Sequence, residues 1–296
     1  MIKLARNSSV VPDISIVCIT YNQAELVKNA LKGFISQRFT LNYEIVIHDD
    51  ASTDDTPEVL KQFYHENSDK VTLLLQTENQ NSKPDVDVTC CGISHAQGKY
   101  IALCEGDDYW IDELKLQKQY DALEGNKAAS SCFHTAFTET PDGTRALFAN
   151  HSEETVFYTT EDVIIGDGAF MPTSALFFRK SAFERMSQDL IENMPCGDYF
   201  FQVIASSDGG SVYLPEPMSV YRVGHPGSFT TNFSSSDWEK RAIFYRKMKV
   251  SLKILNSLTE GKFTHSFNVM NKKFSKIYRK SVRRAWKAKI KSSFSF

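Results

Sequence analysis

The first third of the chain alternates buried-looking apolar runs with segments of helical spacing, and several of the runs end in a polar cluster. Ile14-Ser15-Ile16-Val17-Cys18-Ile19-Thr20 predicts a strand covered on both faces. Residues 24–36 predict a helix through Leu26, Ala30, Leu31 and Phe34, with Asn22 placed to cap it. Tyr43-Glu44-Ile45-Val46-Ile47 predicts a second strand, running into His48-Asp49-Asp50. A helix over 54–64, with Pro57 in its first turn, precedes a third strand over 71–75. A polar loop at 78–85 leads to a helix over 86–96, and residues 100–104 predict a fourth strand.

This β-α-β-α-β-α-β rhythm predicts a mostly parallel sheet with helices on both faces. Ligands of such sheets sit beyond the carboxyl ends of the strands. Three polar clusters fall there: Thr20-Tyr21-Asn22, Asp49-Asp50 and Glu105 to Asp108. The second half is less regular. Helices are predicted over 114–123, 198–205, 237–258 and 264–292, and strands over 130–137, 174–178, 212–214 and 220–223. Residues 137–172 carry no readable motif. The pattern divides the chain into an N-terminal extension (1–11), a main domain (12–232) and a C-terminal helical region (233–296).

Composition is that of an ordinary globular chain, and no run of about 18 apolar residues spans a membrane. The six cysteines follow no zinc-site spacing, and reduced thiols in a cytosol are expected. The net charge of −2 hides an asymmetry, because residues 261–296 hold 11 Lys or Arg and no acid. The body before them carries 23 basic against 36 acidic groups.

The densest chemistry is Glu105-Gly106-Asp107-Asp108-Tyr109-Trp110, three carboxylates directly after a buried strand. Crowded carboxylates lose solvation and repel one another, so they call for a cation or a solvated turn. Hard ions such as Mg²⁺ or Mn²⁺ prefer oxygen ligands and complete their shells with water and phosphate.

Four ordered pieces then acquire a common meaning: Ile19-Thr20-Tyr21-Asn22, Asp49-Asp50-Ala51-Ser52-Thr53-Asp54-Asp55-Thr56, Glu105 to Trp110, and Gly197-Asp198-Tyr199-Phe200-Phe201. Over residues 12–230 the chain resembles glycosyltransferase family 2, the inverting nucleotide-sugar enzymes of GT-A fold. The resemblance implies an α/β, Rossmann-like, mostly parallel sheet with a C-terminal helical extension. It implies a UDP-linked nucleotide-sugar donor, Mn²⁺ or Mg²⁺, and a glycan or lipid-linked acceptor in surface-polysaccharide synthesis. Asp198 matches the general base, and the start of a helix should keep it ionised. Asp107, Asp108 and His225 match the metal side. Thr20, Tyr21, Asn22, Glu25, Asp50, Glu105, Gly106, Arg222 and Ser228 fall on the nucleotide side, Tyr21 to stack on the base and Asp50 to accept from uracil. Glu105 stands where the family usually has Asp, and Pro226 interrupts its commoner His-Gly-Gly form. Trp110 either walls the sugar pocket or anchors the core.

Phe274, Tyr278, Val282, Trp286, Ile290 and Phe294 recur every fourth residue among the cations of the tail. That pattern predicts a basic amphipathic helix on an anionic membrane surface, at the inner face of the cytoplasmic membrane. Packing on the acidic body or a subunit contact between copies is the alternative. Nothing else in the chain points to nucleic acid. Nucleotidyltransferases share the sheet rhythm but need an amino-terminal Gly-rich loop, and residues 14–25 contain no glycine. A degenerate transferase domain that only binds glycan or nucleotide is the non-enzymatic rival. The acids at 50, 107 and 198 argue against it.

Overall fold

The computed structural model describes residues 1–83, 85–225 and 237–293. Its strands are β1 Ile2–Leu4, β2 Ile14–Thr20, β3 Tyr43–Asp49, β4 Val71–Leu75, β5 Tyr100–Glu105, β6 Tyr109–Trp110, β7 Ser131–Glu139, β8 Arg145–Phe148, β9 Val156–Tyr158, β10 Phe177–Arg179 and β11 Ser211–Arg222. Its helices are α1 Ala24–Ile35, α2 Thr56–Glu66, α3 Val88–His95, α4 Lys115–Gly125, α5 Thr160–Gly166, α6 Gln188–Asn193, α7 Asp198–Ser206, α8 Trp238–Leu258 and α9 Thr264–Ser293.

The strands form one mixed sheet in the order β1-β4-β3-β2-β5-β10-β7-β11-β6. β4, β3, β2 and β5 run parallel. β10 runs antiparallel to both β5 and β7, so β7, with β11 parallel to it, resumes the direction of β5. The carboxyl ends of β2, β3, β5, β7 and β11 therefore share one edge of the sheet. β1, inside the segment assigned to an N-terminal extension, pairs antiparallel with β4.

Alternation along the strands splits the core between the two faces. Ile16 and Cys18 pack with α1, α2 and α4, whereas Val17 packs with α3, α5 and α7. Leu252 and Leu255 of α8, with Phe267, Met270 and Phe274 of α9, join the second of these cores. The C-terminal helices are thus built into the body. All six cysteines are unbridged.

Three local expectations change. The predicted strands 212–214 and 220–223 are the two halves of β11. Leu214 faces His134 and Ser219 faces Ala136, so Pro215-Glu216-Pro217-Met218 bulges opposite Thr135 alone. Proline donates no ladder hydrogen bond, which is why the pattern broke there. The strand expected over 174–178 begins as a 3₁₀ turn at Thr173–Ala175. Residues 137–172, unreadable in sequence, supply β8, β9 and α5.

Candidate active site

Two neighbouring loops are stitched together at the shared strand edge. Asn22 does not cap α1; Gln23 holds that position without a side-chain bond. Asn22 has φ 53°, and its Oδ1 accepts from the Thr53 amide at 2.7 Å while its own amide donates to Ser52 Oγ at 2.8 Å. Asp54 accepts from the first amides of both α1 (Ala24, 3.2 Å) and α2 (Thr56, 3.0 Å). Ala51 has φ 62°. Two non-glycine residues in the left-handed region on adjacent loops mark strain held by the surrounding bonds. Tyr21 stands exposed at the rim, open to a stacking partner, and Glu25 is engaged by Lys28 at 2.6 Å on the exposed side of α1.

Asp50 is buried, and the loop after β4 is folded onto it. Its Oδ1 accepts from the Gln80 amide at 2.6 Å and its Oδ2 from the Asn81 amide at 3.0 Å. Asn79 Nδ2 donates to the Asp50 carbonyl at 3.2 Å. Each carboxylate oxygen keeps one further acceptor site.

The turn after β5 is fixed from three sides. A Cβ on Gly106 would lie 2.6 Å from Gln23 Oε1 and 2.9 Å from Thr20 Oγ1, so only glycine allows the approach to β2. Both of those oxygens are buried and meet no hydrogen-bond partner among the described residues. Asp108 is buried, accepts from the Arg222 amide at 3.0 Å and is held by a Ser174 hydrogen bond. Arg222, expected toward phosphate, is turned inward. Its guanidinium donates to the Asp107 carbonyl at 2.7 Å, lies 4.3 Å from the Tyr109 ring and faces Glu139 at 3.7 Å. Trp110 resolves to a core anchor, with its Nε1 on the Ser174 carbonyl at 3.0 Å and its ring against Phe34.

Asp198 is the first residue of α7, with Gly197 at the cap and no side-chain cap bond. Its carboxylate instead receives Thr173. Asp198 is exposed to solvent, whereas Glu105, Asp107 and Asp87 are half-buried, and the dense protein around all four weakens their solvation. Asp87 was missed in the sequence. It caps α3 through its Oδ1 to the Cys90 amide at 2.9 Å, and its Oδ2 lies 3.6 Å from where a Gly197 Cβ would stand. An Asp at a helix start is its only sequence signal, and one that cannot show which other acids it will meet.

These acids disturb one another. Burial, then Asp198, Asp107, Asp108 and Asp87, push the Glu105 carboxyl well up. Burial raises Asp107, with Arg222 and His225 pulling the other way. Burial and then Asp107 raise Asp108. Asp198 is not held down by its helix: burial, Asp87 and Asp107 raise it. A helix end is worth less than burial among like charges. His225 is half-buried near Asp107, and Ser228 lies outside the described residues.

The donor set is hard oxygen with a surplus of negative charge, which fits Mg²⁺ or Mn²⁺. No group of three or more His, Cys, Asp or Glu forms a ready cage among the described residues. An ion here would need oxygens from a bound diphosphate.

Residues 15–187 match the family described as Glycosyl transferase family 2. The chain is 30% identical over 258 residues to Rv1520, an uncharacterized protein of Mycobacterium tuberculosis, covering 84% of this chain and 69% of that one. It is 31% identical over 114 residues to the UDP-Glc:alpha-D-GlcNAc-diphosphoundecaprenol beta-1,3-glucosyltransferase WfaP of Escherichia coli, covering 38% of this chain and 42% of that one. The S. aureus TarS 1-349 structure in complex with UDP-GlcNAc superposes with a TM-score of 0.63 at 14% identity, covering 93% of this chain and 73% of that one.

Proposed function

Because this chain belongs to glycosyl transferase family 2 and is a glycosyltransferase of GT-A fold, we propose that it moves a sugar from a UDP-linked donor to a hydroxyl of a lipid-linked or glycan acceptor in surface-polysaccharide synthesis. The observation that carries this reading is the meeting of Asp198 with the Glu105–Asp108 turn around one solvent-reached recess at the strand ends.

The uracil stacks on Tyr21, and the free acceptor sites of Asp50 take the base N–H. Asp198 removes the proton from the acceptor hydroxyl as its oxygen attacks the anomeric carbon. The bond from that carbon to the diphosphate oxygen breaks, UDP leaves with the electron pair, and the configuration inverts. The raised proton affinity of Asp198 suits a base. Asp107 is the residue that would hold Mn²⁺ or Mg²⁺, with His225 nearby, and a bound ion supplies neutralisation of the leaving diphosphate. Asp108 and Arg222 hold the turn. The diphosphoundecaprenol acceptor in the name of WfaP supports a lipid-linked acceptor.

A thermal-shift panel of nucleotide sugars, with and without Mn²⁺, tests the reading. A ligand that binds only the folded state raises the melting temperature. Stabilisation by UDP-sugars that strengthens with Mn²⁺ is expected. No response to any nucleotide sugar, with no release of UDP on incubation, overturns it.

A further inference from the structure

The stripe of apolar residues on α9 divides into two parts with different fates. Phe267, Met270, Phe274 and Ser281 are buried, and Ile277 packs against the same core. At 100° per residue these five define the inward side of the helix. The opposite side carries Lys272, Lys276, Arg279, Arg283 and Lys287, all exposed, with Val282 and Trp286 beside them at 43% and 63% exposure. A 63% exposed tryptophan is the least expected of these, since its indole loses much by facing water.

We propose that this outward face of α9 docks the protein on an anionic lipid bilayer, with Trp286 seated at the headgroup level. The charge asymmetry favours that occupant: α9 has no acid of its own, and none of the five outward cations is in an ion pair among the described residues. Packing on the acidic body is already provided for by others, Lys273 to Asp167 at 2.8 Å and Lys289 to Glu239. Indole partitions to the membrane interface, and basic helices with exposed Trp lie in its plane. No helix among the described residues is long and apolar enough to cross a membrane, so α9 would lie on the surface.

The same helix packs on α7, the helix that Asp198 begins. Phe274 meets the ring of Tyr199, the neighbour of Asp198, at 6.2 Å, and Lys273 pairs with Asp167, between α5 and α7. Docking through α9 would hold α7 at a fixed height above the bilayer. This purpose rests on the reading of a lipid-linked acceptor; the docking itself does not.

Co-sedimentation of the full chain with phosphatidylcholine vesicles, with and without 30% phosphatidylglycerol, tests the docking. Binding to the anionic vesicles is expected, weakening as salt rises. Each cation near such a surface contributes about fivefold in partition, so Arg279→Gln/Arg283→Gln/Lys287→Gln should lose on the order of 100-fold. Trp286→Ser should lose binding with the cations intact. All four positions are exposed, and an unchanged melting curve with unchanged UDP-sugar turnover in solution separates a failed docking face from a failed transferase. Equal binding to neutral vesicles, retention by the triple variant, or tighter binding to duplex DNA than to anionic vesicles overturns the proposal.

Discussion

The backbone amide of Arg222 donates to the carboxylate of Asp108 at 3.0 Å, so the end of β11 grips the acidic turn that follows β5. The Arg222 side chain adds the Asp107 carbonyl and the Tyr109 ring. Arg222→Met is expected to cost about 1–3 kcal/mol of stability and to lower kcat at least tenfold, because the Asp107 carbonyl loses its charged donor while Glu139 keeps Arg145 and Tyr109. Arg222→Lys should recover little, lacking the planar fork. The discriminating measurement is the ratio of UDP to uridine affinity. It should stay constant, whereas a phosphate ligand would lower it.

Asp198→Asn keeps the shape of the recess and removes the proton acceptor. Transfer should fall by about 10²–10⁴-fold, the usual share of a general base. UDP affinity, followed by calorimetry, should stay within about threefold, the scatter expected of one altered group at a polar site. Near-normal turnover would sink the assignment.

Asp107→Ala should abolish the dependence of UDP binding on Mn²⁺ while metal-free UDP binding changes little. Calorimetric titrations at several Mn²⁺ concentrations read this directly. The same dependence in the variant would move the ion to another acid.

Asp50 tethers the loop after β4 through the Gln80 and Asn81 amides. In Asp50→Ala those two amides should exchange hydrogen at least about tenfold faster, since bonds to a charged acceptor are worth about 1.5–3 kcal/mol. UDP affinity should fall with them. Unchanged exchange in the peptide covering 76–83 would show the loop to be held by other bonds.

Lys115 is fully buried, its Nζ on Gln119 Oε1 at 2.6 Å and 4.0 Å from the Trp110 ring centre. Burial lowers its pKa to about 7. The unfolded chain titrates there near 10.4, so between those values it binds one proton more than the fold. Stability therefore rises with pH above about 7, by up to about 1.4 kcal/mol per unit, and this slope vanishes at lower pH where both states are protonated. Urea unfolding from pH 6.5 to 8.5, where the six thiols contribute alike to both proteins, should show a more positive slope for the wild type than for Lys115→Met. Parallel curves would remove Lys115 as the source.

The parallel half of the sheet was legible because each strand carries its own two-sided apolar run, and because Gln23-to-Ile35 and Asp55-to-Glu66 carry their own helical spacing. Asp107 and Asp198 were legible as motif positions, but their mutual effect was not, since 91 positions separate them in the sequence. The inward turn of Arg222 was hidden for the same reason: its partners come from β6, β7 and α1. The proline bulge of β11 concealed a long strand behind a broken ladder. In α9 the four-residue repeat was visible from the start. Its division into a buried half and an exposed half depends on where the body ends, which no local pattern contains.

β10 is three residues long, and among the described residues it alone carries the hydrogen-bonded sheet from β5 to β7. Everything assigned here to the nucleotide end except Arg222, His225 and Ser228 lies before that seam in the chain, and Asp198, α8 and α9 lie after it. The two halves are still locked across it, by Arg222 on the turn after β5 and by Trp110 on the Ser174 carbonyl. A change of register at Phe177 or Phe178 would therefore displace both ends of the recess at once.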